Sequence, residues 1–573
     1  MSGEGIDSAT RVQQAGGTDV EMTGGEALAA QLVREGVEHV FGIPGVQLDH
    51  AMDGLAQQGG RIRYITTRHE QAAAYMADGY ARSSGRVGVC MVVPGPGVLN
   101  AAAGLATAYS CSSPVVMISG QIPSAHIGQG LGLLHEIPNQ SAILASLTKW
   151  HAVAKRPDEI PALVREAFRQ AQSGRPRPVA LEVSPDVLRA SADVGLKAPG
   201  PDREEGRVRP DASDLDRAAD LLRRAQRPVL YAGGGIVAAG ASEALAALAD
   251  RLQAPVVVST FGRGALSDRH PLALTALGGY RVMPDADVVL SIGSRYVRGS
   301  GLPVHVPPSL ILVNADSNDL GGVRRPDVAV HGDALLAIQG LLERLDDTPG
   351  RPSRAADVAA VRDWCAERLA PLQPQIAWLR ALREAIPEDG ILVDELTQVG
   401  YVARVAYPVY GPRTYLTPGY QGTLGYGFPT ALGAKVANPK RAVVSVTGDG
   451  GFGWAMQELA TAHQFDIGLV TVVFNDGAFG NVRRIQANQF GGRIIGSELV
   501  NPEYTRLAQS FGVRGARVDS AATLLGALRD ALASGEPALL EVPVQAMPNP
   551  WPILEPWMAS RYADPVRDPA PAR

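Results

Sequence analysis

Short apolar runs alternate with helical patterns along almost the whole chain. The runs HVFGI at 39–43, VGVCMVV at 87–93 and PVVMISG at 114–120 surround a helix-forming stretch, EQAAAYMADGYARSSG, at 70–85. Continuous apolar runs of this length are typical of strands that are buried on both faces. Their alternation with helices predicts an α/β fold in which parallel sheets are covered by helices.

The same alternation recurs in three successive parts of the chain. The chain has 573 residues, which is too long for one hydrophobic core. Later strand-like runs include RPVLYAGGG, DVVLSIG and SLILVNAD, then GILVDE, AVVSVTGD, GLVTVVFND and ALLEVPV. We therefore expect three doubly wound parallel-sheet domains, at 23–190, 205–350 and 363–548. A polar, flexible leader at 1–22 and a proline-rich tail at 549–573 flank them.

Composition and charge exclude several classes of protein. The formal net charge is -5, without a basic stripe, so nucleic acid is not expected as a partner. The three cysteines are odd in number and far apart, which fits neither a disulfide framework nor a zinc site. There is no run of about 18 apolar residues, so no membrane span is expected. We expect a soluble, cytoplasmic enzyme with a small-molecule substrate.

The segment from Val443 to Phe479 carries the strongest chemical signal. One buried strand ends at Gly448-Asp449-Gly450, and the next ends at Asn475-Asp476-Gly477. Taken alone, either tripeptide is an ordinary turn. Together, at one edge of a parallel sheet, the glycines allow backbone N–H groups to approach a diphosphate, and the carboxylate and amide oxygens are ligands for Mg²⁺. The pair predicts a site for a metal-bridged diphosphate.

Two other segments combine small residues with polar ones. Glu70 opens the alanine-rich helix at 70–85, where a first-turn glutamate would favour the helix dipole even without a catalytic role. The stretch TPGYQGTLGYGFPTALGAKVA at 417–437 places closely spaced glycines before a small-residue helix. Alone, this stretch is equally well explained as a glycine-rich turn leading into a buried helix.

The three segments, in this order, resemble the motifs of thiamine-diphosphate-dependent enzymes, within the acetolactate synthase and benzaldehyde lyase group. The resemblance covers nearly the whole chain after the leader. It implies a pyrimidine-binding domain, a central domain and a diphosphate-binding domain, in that order. It also implies a homodimer or homotetramer in which each active site lies between subunits.

The resemblance assigns a role to each matching residue. Glu70 would be catalytic, exchanging a proton with the cofactor's pyrimidine ring. The metal ligands would be Asp449, Asn475 and the backbone carbonyl of Gly477, with Asp476 in place of the family's second asparagine. The cofactor would also contact a set of residues in the third domain: Thr397, Gln398, Gly422, Leu424, Gly450 and Gly451. Among them, the Gly422 carbonyl would accept the cofactor's amine, and Leu424 would hold the cofactor bent; Thr397 and Gln398 could equally be solvated loop residues.

Substrate specificity is less constrained by the sequence. The loop at 42–47 has Val46 and Gln47 where pyruvate decarboxylases and benzaldehyde lyase have active-site histidines. His135 stands where the family has glutamine, and it is either a polar contact to the substrate or a solvated loop histidine. Ile485 aligns with the tryptophan that selects the second keto acid in acetolactate synthases, which disfavours strict acetolactate synthase specificity.

We therefore expect a carboligase or lyase that acts on 2-keto acids or acyloins, with a non-oxidative 2-keto acid decarboxylase as the alternative. By resemblance, the glycines of the central domain could serve FAD, as in acetolactate synthases, or ADP, as in oxalyl-CoA decarboxylases. They could also serve only the turns of a doubly wound sheet.

Overall fold

A computed structural model of the protein describes residues 19–199, 206–297, 306–347 and 350–554. It divides into two compact units. The first contains the chain up to Gly206 together with Gly419–Ala437, and the second contains Arg207–Pro418 and the chain from Asn438 onward. Most of the predicted leader and tail, at 1–18 and 555–573, lies outside the described residues. None of the helices in the described ranges is long and apolar enough to cross a membrane.

The first unit is built on a six-stranded parallel sheet in the order β3-β2-β4-β5-β7-β6, with a small antiparallel pair, β1 and β8. Its strands are β1 (Val20–Thr23), β2 (His39–Gly42), β3 (Arg63–Thr66), β4 (Gly88–Val92), β5 (Val115–Gly120), β6 (Trp150–Ala154), β7 (Val179–Val183) and β8 (Ser191–Val194). Its helices are α1 (Gly24–Arg34), α2 (Asp49–Ala56), α3 (Glu70–Ser84), α4 (Pro96–Cys111), α5 (Gln140–Leu147), α6 (Ile160–Gln172), α7 (Pro185–Arg189) and, from later in the chain, α16 (Gly427–Ala437).

Two glycines allow α16 to pack directly on α3. A Cβ atom on Gly79 would lie 1.9 Å from the Thr430 carbonyl oxygen, and one on Gly433 would lie 1.9 Å from the Met76 carbonyl oxygen. Any side chain at either position would push the two backbones apart. The small residues of both helices therefore explain why the segment at 419–437 joins the first unit, although the domain boundaries inferred from sequence assign it to the third domain.

The second unit contains two further six-stranded parallel sheets, in the orders β11-β10-β9-β12-β13-β14 and β16-β15-β17-β18-β20-β19. The strands of the first are β9 (Pro228–Ala232), β10 (Val256–Val258), β11 (Ala273–Leu274), β12 (Val288–Ile292), β13 (Ser309–Asn314) and β14 (Val328–His331). The strands of the second are β15 (Ile391–Asp394), β16 (Tyr415–Leu416), β17 (Val443–Gly448), β18 (Val470–Asn475), β19 (Arg514–Arg517) and β20 (Ala538–Pro543).

Helices cover both of these sheets. In chain order they are α8 (Ala212–Arg224), α9 (Gly234–Ala239), α10 (Ser242–Leu252), α11 (Ala276–Val282), α12 (Ala334–Arg344), α13 (Ala355–Leu369), α14 (Gln375–Ala385), α15 (Gln398–Ala406), α17 (Asp449–Phe452), α18 (Leu459–Gln464), α19 (Gly480–Gln489), α20 (Tyr504–Ser510), α21 (Ala521–Ser534) and α22 (Trp551–Leu554). The α/β class with three parallel sheets is therefore confirmed.

The first sheet (β2 to β7) and the third sheet (β15 to β20) have the same strand order when each is counted from its own first strand. In each sheet, the second strand lies on one side of the first strand and the third strand lies on its other side. The strand order therefore reverses between the first and third strands, and this is where a crevice is expected. Ligands of open α/β sheets bind at the carboxyl ends of the strands beside such a crevice. In the first unit those strands end at Gly42 and Val92, and in the third sheet they end at Asp394 and Gly448. Val46 and Gln47 follow Gly42, Thr397 and Gln398 follow Asp394, and the predicted site residues from Asp449 to Gly451 follow Gly448.

Candidate active site

Asp449 and Asn475 lie at the ends of the neighbouring strands β17 and β18. A single side-chain amide touches both of them. The Nδ2 atom of Asn501 donates to Asp449 Oδ2 at 2.6 Å and to Asn475 Oδ1 at 3.0 Å. Asp449 is buried, with an exposed fraction of 3%. The structure therefore brings the two predicted metal-ligand side chains together around one point.

Asp476 adds a second carboxyl group at this point. Burial, together with the adjacent carboxylate of Asp449 and a hydrogen bond to it, raises the pKa of Asp476 to about 6. Gln398 Nε2 donates to Asp476 Oδ2 at 2.8 Å. Two carboxyl groups this close compete for negative charge, and a bound cation would relieve that competition.

A third carboxyl group, that of Glu541 on β20, is hydrogen-bonded to the side-chain nitrogen of Asn475. Its Oε1 atom accepts a hydrogen bond from Asn475 Nδ2 at 2.9 Å, while its Oε2 atom is buried without a hydrogen-bond partner. Within the described part of the chain, no ion pair includes Asp449, Asp476 or Glu541. Buried carboxylates without a basic partner are costly. A divalent cation held by oxygen atoms fits beside Asp449 and Asn475, with Asp476 adjacent, and Mg²⁺ prefers such ligands.

The turn after β17 is tightly packed on both sides. A Cβ atom on Gly451 would lie 2.3 Å from Glu395 Oε1, and one on Gly450 would lie 2.7 Å from the Phe479 ring. Glu395 is itself buried and accepts a hydrogen bond from Thr447 Oγ1 at 2.5 Å. Both glycines are therefore required by the packing of the turn, in addition to any role in binding a diphosphate.

Three of the predicted metal or cofactor contacts remain to be described: Gly477, Thr397 and Gln398. Gly477 has a positive φ of 63°, and its carbonyl accepts a hydrogen bond from Leu499 N at 2.8 Å, which leaves its second lone pair. The Thr397 hydroxyl caps α15 by accepting from Gly400 N. Gln398 links Asp476 to the backbone N–H of Met547. Their contacts to a cofactor stay predictions.

Glu70 lies in the first unit as the first residue of α3. The helix is capped by His69, whose ring accepts from Gln71 N at 3.1 Å. Asn100 Nδ2, from α4, donates to Glu70 Oε2 at 3.0 Å. Because a side-chain amide nitrogen only donates, Oε2 acts as an acceptor in this contact, which leaves Oε1 for another partner.

The turn at 422–424 packs against the same end of α3. Gly422 has a φ of 57°, which favours glycine. The Thr423 hydroxyl bonds to the hydroxyls of Tyr75 at 2.5 Å and Thr107 at 3.0 Å, and the Leu424 carbonyl accepts from Gln71 Nε2 at 3.3 Å. Leu424 leaves 38% of its surface exposed. The backbone of the turn is fixed while the leucine remains accessible.

The three predicted substrate contacts lie on two adjoining loops of the first unit. Gln47 Nε2 donates to the carbonyl of Leu134 at 3.1 Å, next to His135. Both Gln47 Oε1 and His135 Nδ1 are buried without a hydrogen-bond partner. His135 has a φ of 68°, a strained conformation for a non-glycine residue. Val46 leaves 62% of its surface exposed.

Four polar residues that contact the predicted site residues were not predicted from the sequence: Asn100, Glu395, Asn501 and Glu541. Glu541 carried a signal, because it is a charged residue in the otherwise apolar strand segment ALLEV, and Glu395 directly follows Asp394 at the end of β15. The two asparagines belong to no recognisable pattern, and only the folded chain brings them to their partners.

The glycines of the central sheet have a structural explanation. A Cβ atom on Gly233 would lie 2.1 Å from the Gly293 carbonyl oxygen, and one on Gly235 would lie 2.5 Å from Gly293 Cα. These glycines allow two strand-end turns to approach closely, whether or not a flavin binds. Part of the segment considered for FAD, at 298–305, lies outside the described residues.

Comparison with known proteins identifies the family. Residues 22–143 match the N-terminal TPP binding domain of thiamine pyrophosphate enzymes, residues 215–341 match their central domain, and residues 397–542 match their C-terminal TPP binding domain. A probable 2-ketoarginine decarboxylase of Pseudomonas aeruginosa is 39% identical over 86% of this chain and 88% of its own. The acetolactate synthase of Arthrospira platensis is 34% identical over 93% and 96%. A probable acetolactate synthase large subunit of Methanocaldococcus jannaschii is 34% identical over 92% and 93%. This chain belongs to the thiamine pyrophosphate enzymes, which confirms the resemblance seen in its motifs.

Proposed function

We propose that this protein is a cytoplasmic, Mg²⁺-dependent carboligase that removes CO₂ from a 2-keto acid and joins the remaining fragment to a second carbonyl compound. The observation that carries the proposal is the pair of adjacent carboxyl groups, Asp449 and Asp476, at the carboxyl ends of β17 and β18. Thiamine diphosphate, when bound, supplies a ring carbon that adds to the substrate carbonyl and a ring that accepts the electrons released with CO₂.

The chain's own residues hold this cofactor at its diphosphate end. Asp449, Asn475 and the Gly477 carbonyl bind the cation, and the backbone of Gly450 and Gly451 lies against the diphosphate. The raised pKa of Asp476 supports this assignment, because burial and the adjacent Asp449 carboxylate both disfavour its negative charge, and a bound cation would favour it.

Glu70 acts at the other end of the cofactor. Its Oε1 atom exchanges a proton with the pyrimidine ring, since Asn100 occupies Oε2. The Gly422 carbonyl accepts a hydrogen bond from the ring amine. Leu424 supplies apolar bulk beneath the cofactor, which its exposed fraction of 38% supports. Val46, Gln47 and His135 contact the substrate. The unpartnered His135 Nδ1 can donate to a substrate oxygen atom, whereas Gln47 Oε1 can only accept, from a hydroxyl group.

The decarboxylase alternative has a specific observation in its favour. The relative named a probable 2-ketoarginine decarboxylase is more similar to this chain than the two acetolactate synthases described above. Such an enzyme would release an aldehyde without needing an acceptor. The proposal includes no flavin, since close packing accounts for the central glycines.

One activity screen separates these functions. Purified protein with thiamine diphosphate and Mg²⁺ is offered pyruvate, benzoylformate, 2-ketoarginine and benzoin separately, and CO₂, aldehydes and acyloins are measured. We expect an acyloin and CO₂ from a keto acid. Aldehyde and CO₂ without acyloin, even with added aldehyde acceptor, would support the decarboxylase instead. Aldehyde from benzoin alone would identify a lyase, and no turnover of any compound would contradict the proposal.

We also propose a homodimer or homotetramer with the active site between subunits. Large apolar side chains are exposed around the predicted site segments of each unit: Val46, Leu99, Leu131 and Leu134 in the first, and Trp454, Phe490, Ile495 and Val500 in the second. Exposed apolar surface of this kind is typical of interfaces.

A mixing experiment tests the shared site. Glu70→Gln and Asp449→Ala are each expected to be inactive alone. After exchange of subunits, mixed dimers should regain activity, because one of their two sites combines an intact Glu70 with an intact Asp449. Mixed dimers, verified by two affinity tags, that remain inactive would contradict a shared site.

A further inference from the structure

The Asn475 side chain can present either of two ends to the cation. Its Oδ1 atom can bind a cation, whereas its Nδ2 group carries positively polarised hydrogens and would repel one. The two ends have nearly the same shape, so packing alone does not select between them. Hydrogen-bond partners must decide which end faces Asp449.

At the nitrogen end, the partner is an acceptor. Asn475 Nδ2 donates to Glu541 Oε1 at 2.9 Å. Glu541 lies on β20, beside β18, with an exposed fraction of 4%. A carboxylate accepts hydrogen bonds and donates none, so it rejects the oxygen end of the amide.

At the oxygen end, both partners are donors. Asn475 Oδ1 accepts from Asn501 Nδ2 at 3.0 Å and from Gly477 N at 3.3 Å. The same Asn501 nitrogen donates to Asp449 Oδ2 at 2.6 Å, which leaves Oδ1 of that carboxylate for other ligands. A reversed Asn475 would place N–H groups against donors and its oxygen against a carboxylate, losing hydrogen bonds at both ends.

We propose that Asn501 and Glu541 are positioning residues of the cation site, which together keep the oxygen of Asn475 turned toward Asp449. This inference rests on the proposed function, because it concerns the same cation. Residues that orient metal ligands in this way commonly change metal affinity by about 10 to 100-fold when they are replaced.

The test measures cation affinity directly. Mn²⁺, whose paramagnetic signal reports the free ion, is titrated into wild-type protein and variants with thiamine diphosphate present. Asn501→Ala removes the shared donor, and Glu541→Gln keeps the shape of the side chain but allows it to accept or donate. We expect each variant to weaken Mn²⁺ binding by about 10 to 100-fold.

Two control variants distinguish a loss of ligand positioning from a general loss of folding. Glu458→Gln changes another fully buried glutamate of the second unit, and Asn318→Ala removes another asparagine that donates to an aspartate. Both should bind Mn²⁺ like wild type. If Glu541→Gln does not fold, Asn501→Ala, on the segment before α20, decides the question alone.

The outcomes distinguish this inference from the proposed function. Wild-type protein that binds no Mn²⁺ with thiamine diphosphate would overturn both. If Asn501→Ala and Glu541→Gln each change the Mn²⁺ affinity by less than about twofold, the effect is well below that expected for orienting residues. That result would overturn the positioning role and leave the proposed function standing. Equal weakening in the control variants would also overturn it.

Discussion

Replacing Gly451 by alanine tests how tightly the turn after β17 is built. The backbone of Gly451 is helical and has no positive φ, so alanine meets no conformational penalty there. The obstacle is the buried carboxylate of Glu395. The new Cβ atom would lie 2.3 Å from Oε1 and 2.5 Å from the carboxyl carbon, whereas an ordinary contact begins at 3.4 Å.

The expected cost follows from this geometry. Glu395 must retreat by about 1 Å, which strains its 2.5 Å hydrogen bond from Thr447 Oγ1. Overpacking a core costs about 1 to 3 kcal/mol, and weakening a hydrogen bond to a buried charge adds about 1 to 2 kcal/mol. We expect a loss of about 2 to 5 kcal/mol, which lowers the melting temperature of a region of about 150 to 250 residues by roughly 4 to 20 °C.

Gly526→Ala provides the matched control. Gly526 lies on the exposed side of α21, and a Cβ atom there would meet no atom within 4 Å. Alanine inside a helix is more stable than glycine by about 0.5 to 1 kcal/mol. Thermal unfolding of the cofactor-free variants, followed by circular dichroism, should therefore show opposite shifts. A Gly451→Ala protein as stable as wild type would refute the packing argument.

Three further predictions concern the site residues. Glu70→Gln should lower kcat/KM by about 10² to 10⁴-fold, with thiamine diphosphate binding retained, because a general acid–base group is lost; full turnover in steady-state assays would remove Glu70 from catalysis. Asp449→Ala should abolish the Mg²⁺-dependent binding of thiamine diphosphate measured by calorimetry, and unchanged Mg²⁺-dependent binding would place the cation elsewhere. The pKa of Asp476, about 6 in the folded protein, lies above the unfolded value near 3.9. Its stabilising contribution is therefore complete below about pH 4 and is lost as the pH rises through about 6. In cofactor- and cation-free protein, Asp476→Asn should remove part of the fall in melting temperature over this range, and parallel pH profiles for variant and wild type would contradict the assignment.

The sequence predicted the parts of the fold that depend on local pattern. Apolar runs such as those at 114–120 and 443–448 became buried parallel strands, because no other element buries so short a run on both faces. It also predicted that Asp449 and Asn475 would meet, since the carboxyl ends of neighbouring parallel strands share one edge of a sheet. Short edge strands such as β16 were missed, because two residues carry no periodic signal.

The rest depends on the folded chain. Asn501 reaches Asp449 from a loop 52 positions away, and Asn100 reaches Glu70 from another helix. His135 has a positive φ, and its loop packs closely on Gly95, where a Cβ atom would lie 2.3 Å from the His135 carbonyl oxygen. Such contacts join residues without a shared pattern, so a single sequence gives no means of pairing them.

The central claim is that the acidic cluster at Asp449 holds a cation that binds the cofactor's diphosphate. Calorimetric titration of thiamine diphosphate into the purified protein, with and without Mg²⁺, tests it most directly. We expect saturable binding of thiamine diphosphate to the wild-type protein that requires Mg²⁺ and is lost in the Asp449→Ala variant. Absence of binding to the wild-type protein with Mg²⁺ present, or equal binding by the variant, would contradict it.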